Sequence, residues 1–211
     1  MLKGILFDLD GTLIQTELMI MEGFRHAMHE HLPEVKITKE DETNFLGQTL
    51  DKSFNKYSKD EKVLNNLIES YKVYTNEKLV NGLKTHNNAV QILKHLKDND
   101  LKIGVVTSKR TKLATENLAH VGLIEYVDVV VGSDLVKNHK PHPESLELAL
   151  TKLGLKPENA IYIGDHENDI KAANAAKMMS CGVTYSYRLK ELLLENPTYI
   201  IDDLINLEDV I

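Results

Sequence analysis

The stretch Lys3-Gly4-Ile5-Leu6-Phe7-Asp8-Leu9-Asp10-Gly11-Thr12-Leu13 is an apolar run that ends in two carboxylates and a glycine. Its branched and aromatic residues are typical of a central strand that is covered on both faces. Asp8 and Asp10 share one face of a regular strand, where their charges repel unless a cation or a proton compensates them. Gly11 lets the backbone turn where a side chain would crowd a ligand. The stretch therefore predicts a buried strand that leads into a ligand site.

The composition is that of an ordinary soluble protein with one large domain or one domain and an insertion. Among 211 residues, 25 Lys and Arg stand against 32 Asp and Glu, a net charge of −7. This charge offers no long-range attraction to nucleic acid or to an anionic membrane, so we expect neither as a partner. The single cysteine, Cys181, leaves no disulfide framework and favours a reducing compartment. With no basic and apolar leader and no run as long as a membrane span, we expect a cytoplasmic protein.

The chain changes from a helical pattern to an alternating one near residue 83. Before this point the pattern predicts four helices and no strand, near residues 16–31, 38–45, 49–57 and 58–80. After it, helical segments separate predicted strands near residues 103–107, 127–131, 161–164, 179–183 and 199–201. Such alternation is typical of right-handed crossovers and of a parallel sheet covered on both faces. We therefore predict an α/β fold, with the sheet in residues 1–15 and 83–211 and an all-helical insertion in residues 16–82.

Polar groups follow several predicted strands, at the sheet edge where ligands bind in parallel α/β folds. Thr107 and Ser108 end the second strand, Lys140 lies in a later loop, and Asp165 and Asp169 follow the fourth strand. With the two carboxylates of the first strand, they supply a nucleophile, a cation and hydrogen-bond donors, which phosphoryl transfer requires. Each signal alone is common in helix caps and turns. Their joint occurrence in this order favours a phosphoryl-transfer site.

In these motifs the chain resembles the haloacid dehalogenase superfamily of phosphatases. The four motifs of that superfamily match DLDGTL, the threonine of VVTSK, the lysine of NHKPHPE, and GDHENDI. The resemblance covers essentially the whole chain and implies a Rossmann-like, doubly wound core. It also implies a helical cap domain between the first and second motifs, which matches the inserted helices of residues 16–82. A helical insertion directly after the first strand would lie over the carboxyl end of that strand.

The resemblance implies a role for each motif residue. Asp8 would be the nucleophile, and Asp10 would be the general acid and base. Thr107 would hydrogen-bond a phosphoryl oxygen, and Lys140 would neutralise charge on the nucleophile and the phosphate. The residues that would contact the phosphoryl group are Leu9, Asp10, Gly11, Thr107, Ser108 and Lys140.

The same resemblance implies Mg²⁺ as the cofactor. Asp165, the carboxylate of Asp8 and the backbone carbonyl of Asp10 would bind the ion, and Asp169 would support these ligands. All-oxygen ligands with room for water suit Mg²⁺ rather than zinc.

Two further stretches, FLGQTL at residues 45–50 and GVTY at residues 182–185, are similar to the phosphoglycolate phosphatase branch, which includes a bacterial inorganic pyrophosphatase. We therefore expect magnesium-dependent hydrolysis of a small phosphorylated metabolite through a phospho-aspartyl intermediate. Phosphoglycolate is the first choice of substrate, pyrophosphate the second, and a broad range of phosphomonoesters the third. A sugar phosphomutase is disfavoured because Leu46 and Leu50, rather than basic residues, flank the glycine of the first stretch.

Three residues do not follow this pattern or have no role in it. Lys177 and Ser186 stand where members of the branch commonly have glycine. His166 lies in the loop of the fourth motif, where lining of the pocket and plain exposure are both open.

Two non-enzymatic alternatives remain at this point, and the oligomeric state is open. A phospho-receiver domain also gathers acids, a hydroxyl and a lysine at the ends of parallel strands. Receivers lack a helical insertion after the first strand, and their acceptor aspartate ends a later strand, whereas the third strand here ends Val131-Gly132-Ser133-Asp134. A catalytically dead binding module of the same fold is the other alternative. The intact acids and Lys140 count against it.

Overall fold

The computed structural model describes residues 2–210, with side chains described for all of these except residues 79–81. Residues 1 and 211 of the predicted core lie outside the described residues. The chain divides into two compact units, one of Met1–Gln15 with Lys84–Ile211 and one of Thr16–Leu83. Residue 83 thus falls in the second unit rather than in the predicted core, because Leu83 is the C-terminal cap of the last helix of that unit.

The first unit contains a six-stranded sheet in which all neighbouring strands are parallel. The strands are β1 (Gly4–Phe7), β2 (Lys102–Val106), β3 (Val129–Val131), β4 (Ala160–Gly164), β5 (Met179–Val183) and β6 (Tyr199–Ile201). Their order across the sheet is β3-β2-β1-β4-β5-β6, which is a doubly wound order with its switch point between β1 and β4. The predicted α/β fold is confirmed. A phospho-receiver has the order 2-1-3-4-5 instead, so that alternative is wrong.

The second unit is helical, and its described residues form no strand. Its helices are α1 (Glu17–His31), α2 (Lys39–Phe45), α3 (Leu50–Phe54) and α4 (Glu61–Gly82). The helices of the first unit are α5 (Ala89–Asp98), α6 (Thr111–His120), α7 (Glu144–Leu153), α8 (Glu167–Ala175) and α9 (Leu189–Leu193). Short 3₁₀ helices lie at Ile124–Tyr126, Ser133–Leu135, Pro157–Asn159 and Leu204–Asp209. Within residues 2–210, no helix combines the length and apolarity that a membrane crossing requires.

The prediction placed the start of the fourth helix too early, at residue 58. Helix α4 begins at Glu61 because the Asp60 side chain accepts hydrogen bonds from the backbone N–H of Lys62 (2.8 Å) and Val63 (3.2 Å). Ser58 instead accepts a hydrogen bond from the backbone N–H of Asp60, outside the helix. The aspartate therefore satisfies the free N–H groups of the first turn.

The two units have separate apolar cores. In the first unit β1 is central, and Ile5, Leu6 and Phe7 are fully buried between the helix layers, as the opening apolar run predicts. In the second unit Phe24 stacks on Phe45 with a centroid distance of 4.5 Å, within a buried cluster that also contains Phe54, Leu67 and Tyr71. The burial of these aromatic side chains stabilises the helical unit.

Lys177 has a left-handed backbone conformation, with φ of 59°. It follows the end of α8, where the N–H of Met178 donates to the carbonyl of Ala173 (2.9 Å) and the N–H of Lys177 to that of Asn174 (3.1 Å). This pair of bonds is a Schellman motif, in which glycine fills the left-handed position at the lowest cost. The glycine expected here from the branch pattern therefore has a backbone explanation.

We expect Lys177→Gly to raise the free energy of unfolding by up to about 1 kcal/mol. A left-handed conformation costs a residue with a side chain about 1–2 kcal/mol, which glycine avoids. The greater freedom of glycine in the unfolded chain offsets about 0.5–1 kcal/mol of this gain. Thermal unfolding followed by circular dichroism measures the change. Lys171→Gly, inside α8, is the control and should lower the melting temperature. A lower melting temperature for Lys177→Gly as well would contradict the assigned strain.

Candidate active site

The carboxyl ends of β1, β2 and β4 bring together three of the predicted site residues. Asp8 follows β1, Thr107 follows β2 and Asp165 follows β4, and all three side chains are buried. Hydrogen bonds extend the strand pairing one residue beyond the strands, from the N–H of Asp8 to the carbonyl of Ile163 (2.8 Å) and from the N–H of Thr107 to that of Val131 (3.0 Å). The rigid sheet therefore fixes the backbone of the site.

Asp8, Asp165 and Asp169 form a buried acidic cluster, in which one carboxylate oxygen of each lies within 4.8 Å of the others. The hydroxyl of Thr12 donates to Oδ1 of Asp165 (3.2 Å). Gly11 has a φ of 82°, and a Cβ atom at this position would overlap the Asp165 carboxylate. The glycine is thus required both by its conformation and by close approach. The oxygen-only donor set of the cluster fits Mg²⁺.

Lys140 compensates part of this negative charge. Its Nζ donates to Oδ1 of Asp8 (2.9 Å), to Oδ1 of Asp169 (2.6 Å) and to the hydroxyl of Tyr162 (2.9 Å). An ammonium group has three N–H bonds, so these acceptors use all of them. The side chain of Lys140 is buried, so removal of its charge would leave two carboxylates uncompensated in a poorly solvated place.

Burial and neighbouring charges shift the pKa values of this pair. Burial raises the pKa of Asp8 to about 7, with added repulsion from Asp169 and Asp10, although the Lys140 ammonium opposes the rise. Burial disfavours the charged form of Lys140, but the carboxylates of Asp169 and Asp8 outweigh it and raise the pKa of the ammonium above its ordinary value. Lys140 is therefore a permanent cation at neutral pH, whereas the charge of Asp8 depends on what else is bound.

Tyr162 is a site residue that the sequence analysis missed. It lies in β4 and is fully buried, and its hydroxyl accepts from Lys140 and lies 2.9 Å from the carbonyl oxygen of Val106 and 3.2 Å from Oδ1 of Asp169. Burial raises the pKa of the phenol well above its ordinary value, so the hydroxyl keeps its proton. A hydroxyl-bearing ring in the apolar strand AIYIG is a weak sequence signal for such a contact, because buried tyrosines need a polar partner.

Asp10 lies beside a second lysine, Lys109, which was also not predicted as a site residue. Nζ of Lys109 donates to Oδ1 of Asp10 (2.6 Å), and its backbone N–H donates to the hydroxyl of Thr107 (3.1 Å). The carboxylate of Asp10 is not one of the three that form the acidic cluster. The structure therefore separates the two acids of the first motif, one paired with Lys140 and the other with Lys109.

The remaining predicted residues lie in the segments that follow β1, β2 and β4. Leu9 is buried, and among the described residues its backbone N–H has no hydrogen-bond acceptor, so it is available to a phosphoryl oxygen. The N–H of Gly11 donates to the carbonyl of Ile14 (2.9 Å), so this glycine provides space rather than a donor. Ser108 follows Thr107 and is half-buried. Both oxygens of Asp169 are engaged, one by Lys140 and the other by the N–H of His166 (3.0 Å).

The expectation that His166 is plainly exposed is wrong. Its side chain is buried, and Nδ1 accepts a hydrogen bond from the N–H of Asn168 (3.0 Å) at the start of α8. Burial lowers the pKa of this imidazole to about 4, so the ring is neutral at physiological pH. His166 is therefore a helix cap that helps to fix the loop of the fourth motif.

Tyr185 and Ser186, which follow β5, form hydrogen bonds to the backbone of the loops after β1 and β4. The hydroxyl of Ser186 donates to the backbone carbonyl of Asp165 and accepts from the N–H of Arg188 (2.8 Å). The hydroxyl of Tyr185 donates to the carbonyl of Thr12 (3.0 Å). The serine that departs from the branch pattern thus contributes a side-chain hydrogen bond that glycine cannot make, and no sequence signal indicated it.

Comparison with known proteins agrees with this arrangement. The family of haloacid dehalogenase-like hydrolases matches residues 5–183. The pyrophosphatase PpaX of Bacillus pumilus is 33% identical over 195 residues, 92% of this chain and 89% of the relative, and that of Bacillus cereus is 33% identical over 207 residues, 98% and 94%. A crystal structure from Haemophilus somnus, described as a predicted phosphoglycolate phosphatase, has a TM-score of 0.86 at 25% identity, covering 99% of this chain and 97% of the other.

Fold and site first define a class, that of α/β enzymes with buried carboxylates at the carboxyl ends of parallel strands. Within this class the chain belongs to the family of haloacid dehalogenase-like hydrolases, and it is a phosphatase. The predicted family and the predicted kind of enzyme are confirmed. A catalytically dead binding module is therefore not supported.

We expect Asp8→Asn to fold and to gain stability at high pH in the metal-free state. Because the pKa of Asp8 is raised, the native parent keeps a proton that the unfolded chain has lost, so parent stability falls as the pH rises toward about 7. The introduced amide does not titrate, so the stability of the variant lacks this pH dependence. The free energy of unfolding of the variant minus that of the parent should therefore be higher at pH 8 than at pH 5, by about 1 kcal/mol or more.

Chemical denaturation of both proteins at pH 5 and pH 8, with chelator present, measures this difference. Asp98→Asn, at an exposed position of α5, is the matched control and should show the same difference at both pH values. A stability difference for Asp8→Asn that does not change with pH would show that the carboxyl group does not resist ionisation in the folded protein.

Proposed function

We propose that this phosphatase is magnesium-dependent and hydrolyses a small phosphorylated metabolite through a phospho-aspartyl intermediate on Asp8. The observation that carries the proposal is the hydrogen bond of Lys140 to Oδ1 of Asp8 inside the buried acidic cluster. This bond orients the carboxylate and leaves Oδ2 as the attacking oxygen. A carboxylate beside a fixed cation is suited to nucleophilic attack on phosphorus, because this attack brings the negatively charged carboxylate close to the negatively charged phosphoryl group.

In the first step, Oδ2 of Asp8 forms a bond to phosphorus while the bond from phosphorus to the leaving oxygen breaks. Asp10 transfers its proton to that oxygen. The Thr107 hydroxyl and the backbone N–H of Leu9 donate hydrogen bonds to the phosphoryl oxygens. In the second step, water attacks the phosphorus of phospho-Asp8, Asp10 accepts a proton from the water, and the bond to Asp8 breaks with release of phosphate.

Asp8, Asp165 and the backbone carbonyl of Asp10 would hold Mg²⁺, whose charge would offset that of the carboxylates and the phosphoryl group. Asp169 would support these ligands from behind, since both of its oxygens are engaged by Lys140 and by the N–H of His166. The fit rests on the buried oxygen-only donor set.

Two substrates have support. The relatives that are 33% identical over almost their full length are named pyrophosphatases, which favours pyrophosphate. The FLGQTL and GVTY stretches and the structure from Haemophilus somnus favour phosphoglycolate. We rank pyrophosphate first, which reverses the order given by the sequence, and keep phosphoglycolate as the second candidate.

We also propose the cellular setting and the role of the second unit. Thr16–Leu83 would be the cap domain that distinguishes substrates.

The net charge of −7 and the single, buried Cys181 support a cytoplasmic enzyme whose partner is a small molecule rather than nucleic acid or a membrane.

We expect pyrophosphate and phosphoglycolate to be hydrolysed only when Mg²⁺ is present. The purified protein should be assayed for phosphate release against both compounds and a panel of small phosphomonoesters, with Mg²⁺ and with excess chelator. Chelation should abolish activity without unfolding, because the core of the protein does not depend on the site. Undiminished activity in chelator would contradict the metal requirement, and equally feeble rates on every compound would contradict both substrate assignments.

We expect Asp10→Asn to separate the two chemical steps according to the leaving group. An aryl phosphate with an acidic phenol needs little protonation, so it should give a burst approaching one equivalent of phenolate and then stall as phosphorylated protein. Phosphoglycolate needs the proton, so its first step should slow by about 10²–10⁴-fold and show no burst. Rapid-quench kinetics measure the burst and the rate of the first step, and intact mass detects the phosphorylated protein. Turnover of both substrates at the parent rate would remove the acid–base role of Asp10.

A further inference from the structure

The two lysines of the site differ in how many of their N–H bonds are already used. Lys140 directs all three of its ammonium N–H bonds at protein acceptors. For Lys109, Asp10 is the one acceptor within hydrogen-bond distance of Nζ in the part of the chain that the structure describes. Because an ammonium has three donors, two N–H bonds of Lys109 remain for a bound molecule.

Lys109 is also held in place and partly shielded from solvent. Its backbone N–H is bonded to the Thr107 hydroxyl, and its side chain is 13% exposed, beside an Asp10 side chain that is 17% exposed. A charge in such a place is screened less than one on the open surface, so it attracts an anion more strongly. The four carboxylates described for the site outnumber its two ammonium groups, so an anion needs a local cation.

The position of Lys109 relative to the reaction follows from the proposed function, on which this inference rests. In-line displacement places the attacking Asp8 oxygen and the leaving oxygen on opposite sides of phosphorus. The acid that protonates the leaving oxygen must lie within hydrogen-bond distance of it. Lys109 is 2.6 Å from Oδ1 of Asp10 and therefore lies on the side of the leaving group, whereas Lys140 lies on the side of the nucleophile.

We propose that Lys109 selects substrates whose leaving group carries its own negative charge close to the scissile oxygen. Its two remaining N–H bonds would bind a phosphoryl or carboxylate group of the leaving portion while the third stays on Asp10. Pyrophosphate and phosphoglycolate share this chemistry, since one leaves as phosphate and the other as a hydroxy acid. A neutral leaving group of the same size has no acceptor of comparable strength for Lys109. Lys109 makes and breaks no covalent bond.

The test compares phosphoglycolate with 2-hydroxyethyl phosphate, which replaces the carboxylate by a neutral hydroxymethyl group. We expect Lys109→Gln to lower kcat/KM for phosphoglycolate about 10- to 100-fold more than for the neutral ester, as expected for loss of a charge-assisted hydrogen bond. Lys109→Arg should restore much of the preference. Lys112→Gln, whose side chain is 90% exposed on α6, is the matched control and should leave the preference unchanged.

A second readout does not depend on turnover. In Asp8→Asn protein, calorimetric titration should show that Lys109→Gln weakens binding of phosphoglycolate more than binding of 2-hydroxyethyl phosphate. Equal losses on both compounds, in kcat/KM or in Kd, would show that Lys109 acts only through Asp10 and would overturn the inference. If the parent hydrolysed no compound at all, the proposed function would fail, and the ratio of the two Kd values would still decide the role of Lys109.

Discussion

The constraint on which this site depends is the repulsion among three carboxylates buried within 4.8 Å of one another. Carboxylates in such a place must be compensated by a cation or take up protons. Lys140 supplies the cation within the protein, bonded to two of the three acids and to Tyr162. The order of the sheet serves this arrangement, because β1 and β4 are neighbours and carry the acids to one edge. The remaining negative charge makes the cluster a suitable place for a divalent cation.

The two lysines of the site are bonded to different acids of the first motif. Lys140 is bonded to Asp8, the proposed nucleophile, and its three N–H bonds are all used by protein acceptors, so it has none left for a ligand. Lys109 is bonded to Asp10 and retains donors. Two acids two residues apart in sequence therefore have different environments, which is the requirement for giving one the role of nucleophile and the other that of acid and base.

Much of the fold could be predicted from the sequence because its signals are local. The apolar run before Asp8 and the later apolar segments identified the six strands, and their alternation with helices identified the parallel sheet. The start of α4 was misplaced because two capping residues, Ser58 and Asp60, compete within three positions, and only the folded chain shows which one is used. The conformation of Lys177 was likewise visible only as a departure from a family pattern.

The site was less predictable where its contacts are not local. The motif residues could be placed at one sheet edge by topology alone. Tyr162 and Lys109, however, are distant in sequence from the partners that the fold brings to them, and they lie in segments that are also typical of a strand and a turn.

A phospho-aspartyl intermediate on Asp8 is tested most directly by quenching the enzyme during turnover with borohydride, which reduces an acyl phosphate to an alcohol. Peptide mass analysis should then find residue 8 reduced to homoserine, only when substrate and Mg²⁺ are both present. Turnover with Asp8 left unreduced, or with the reduction at another aspartate, would contradict the account.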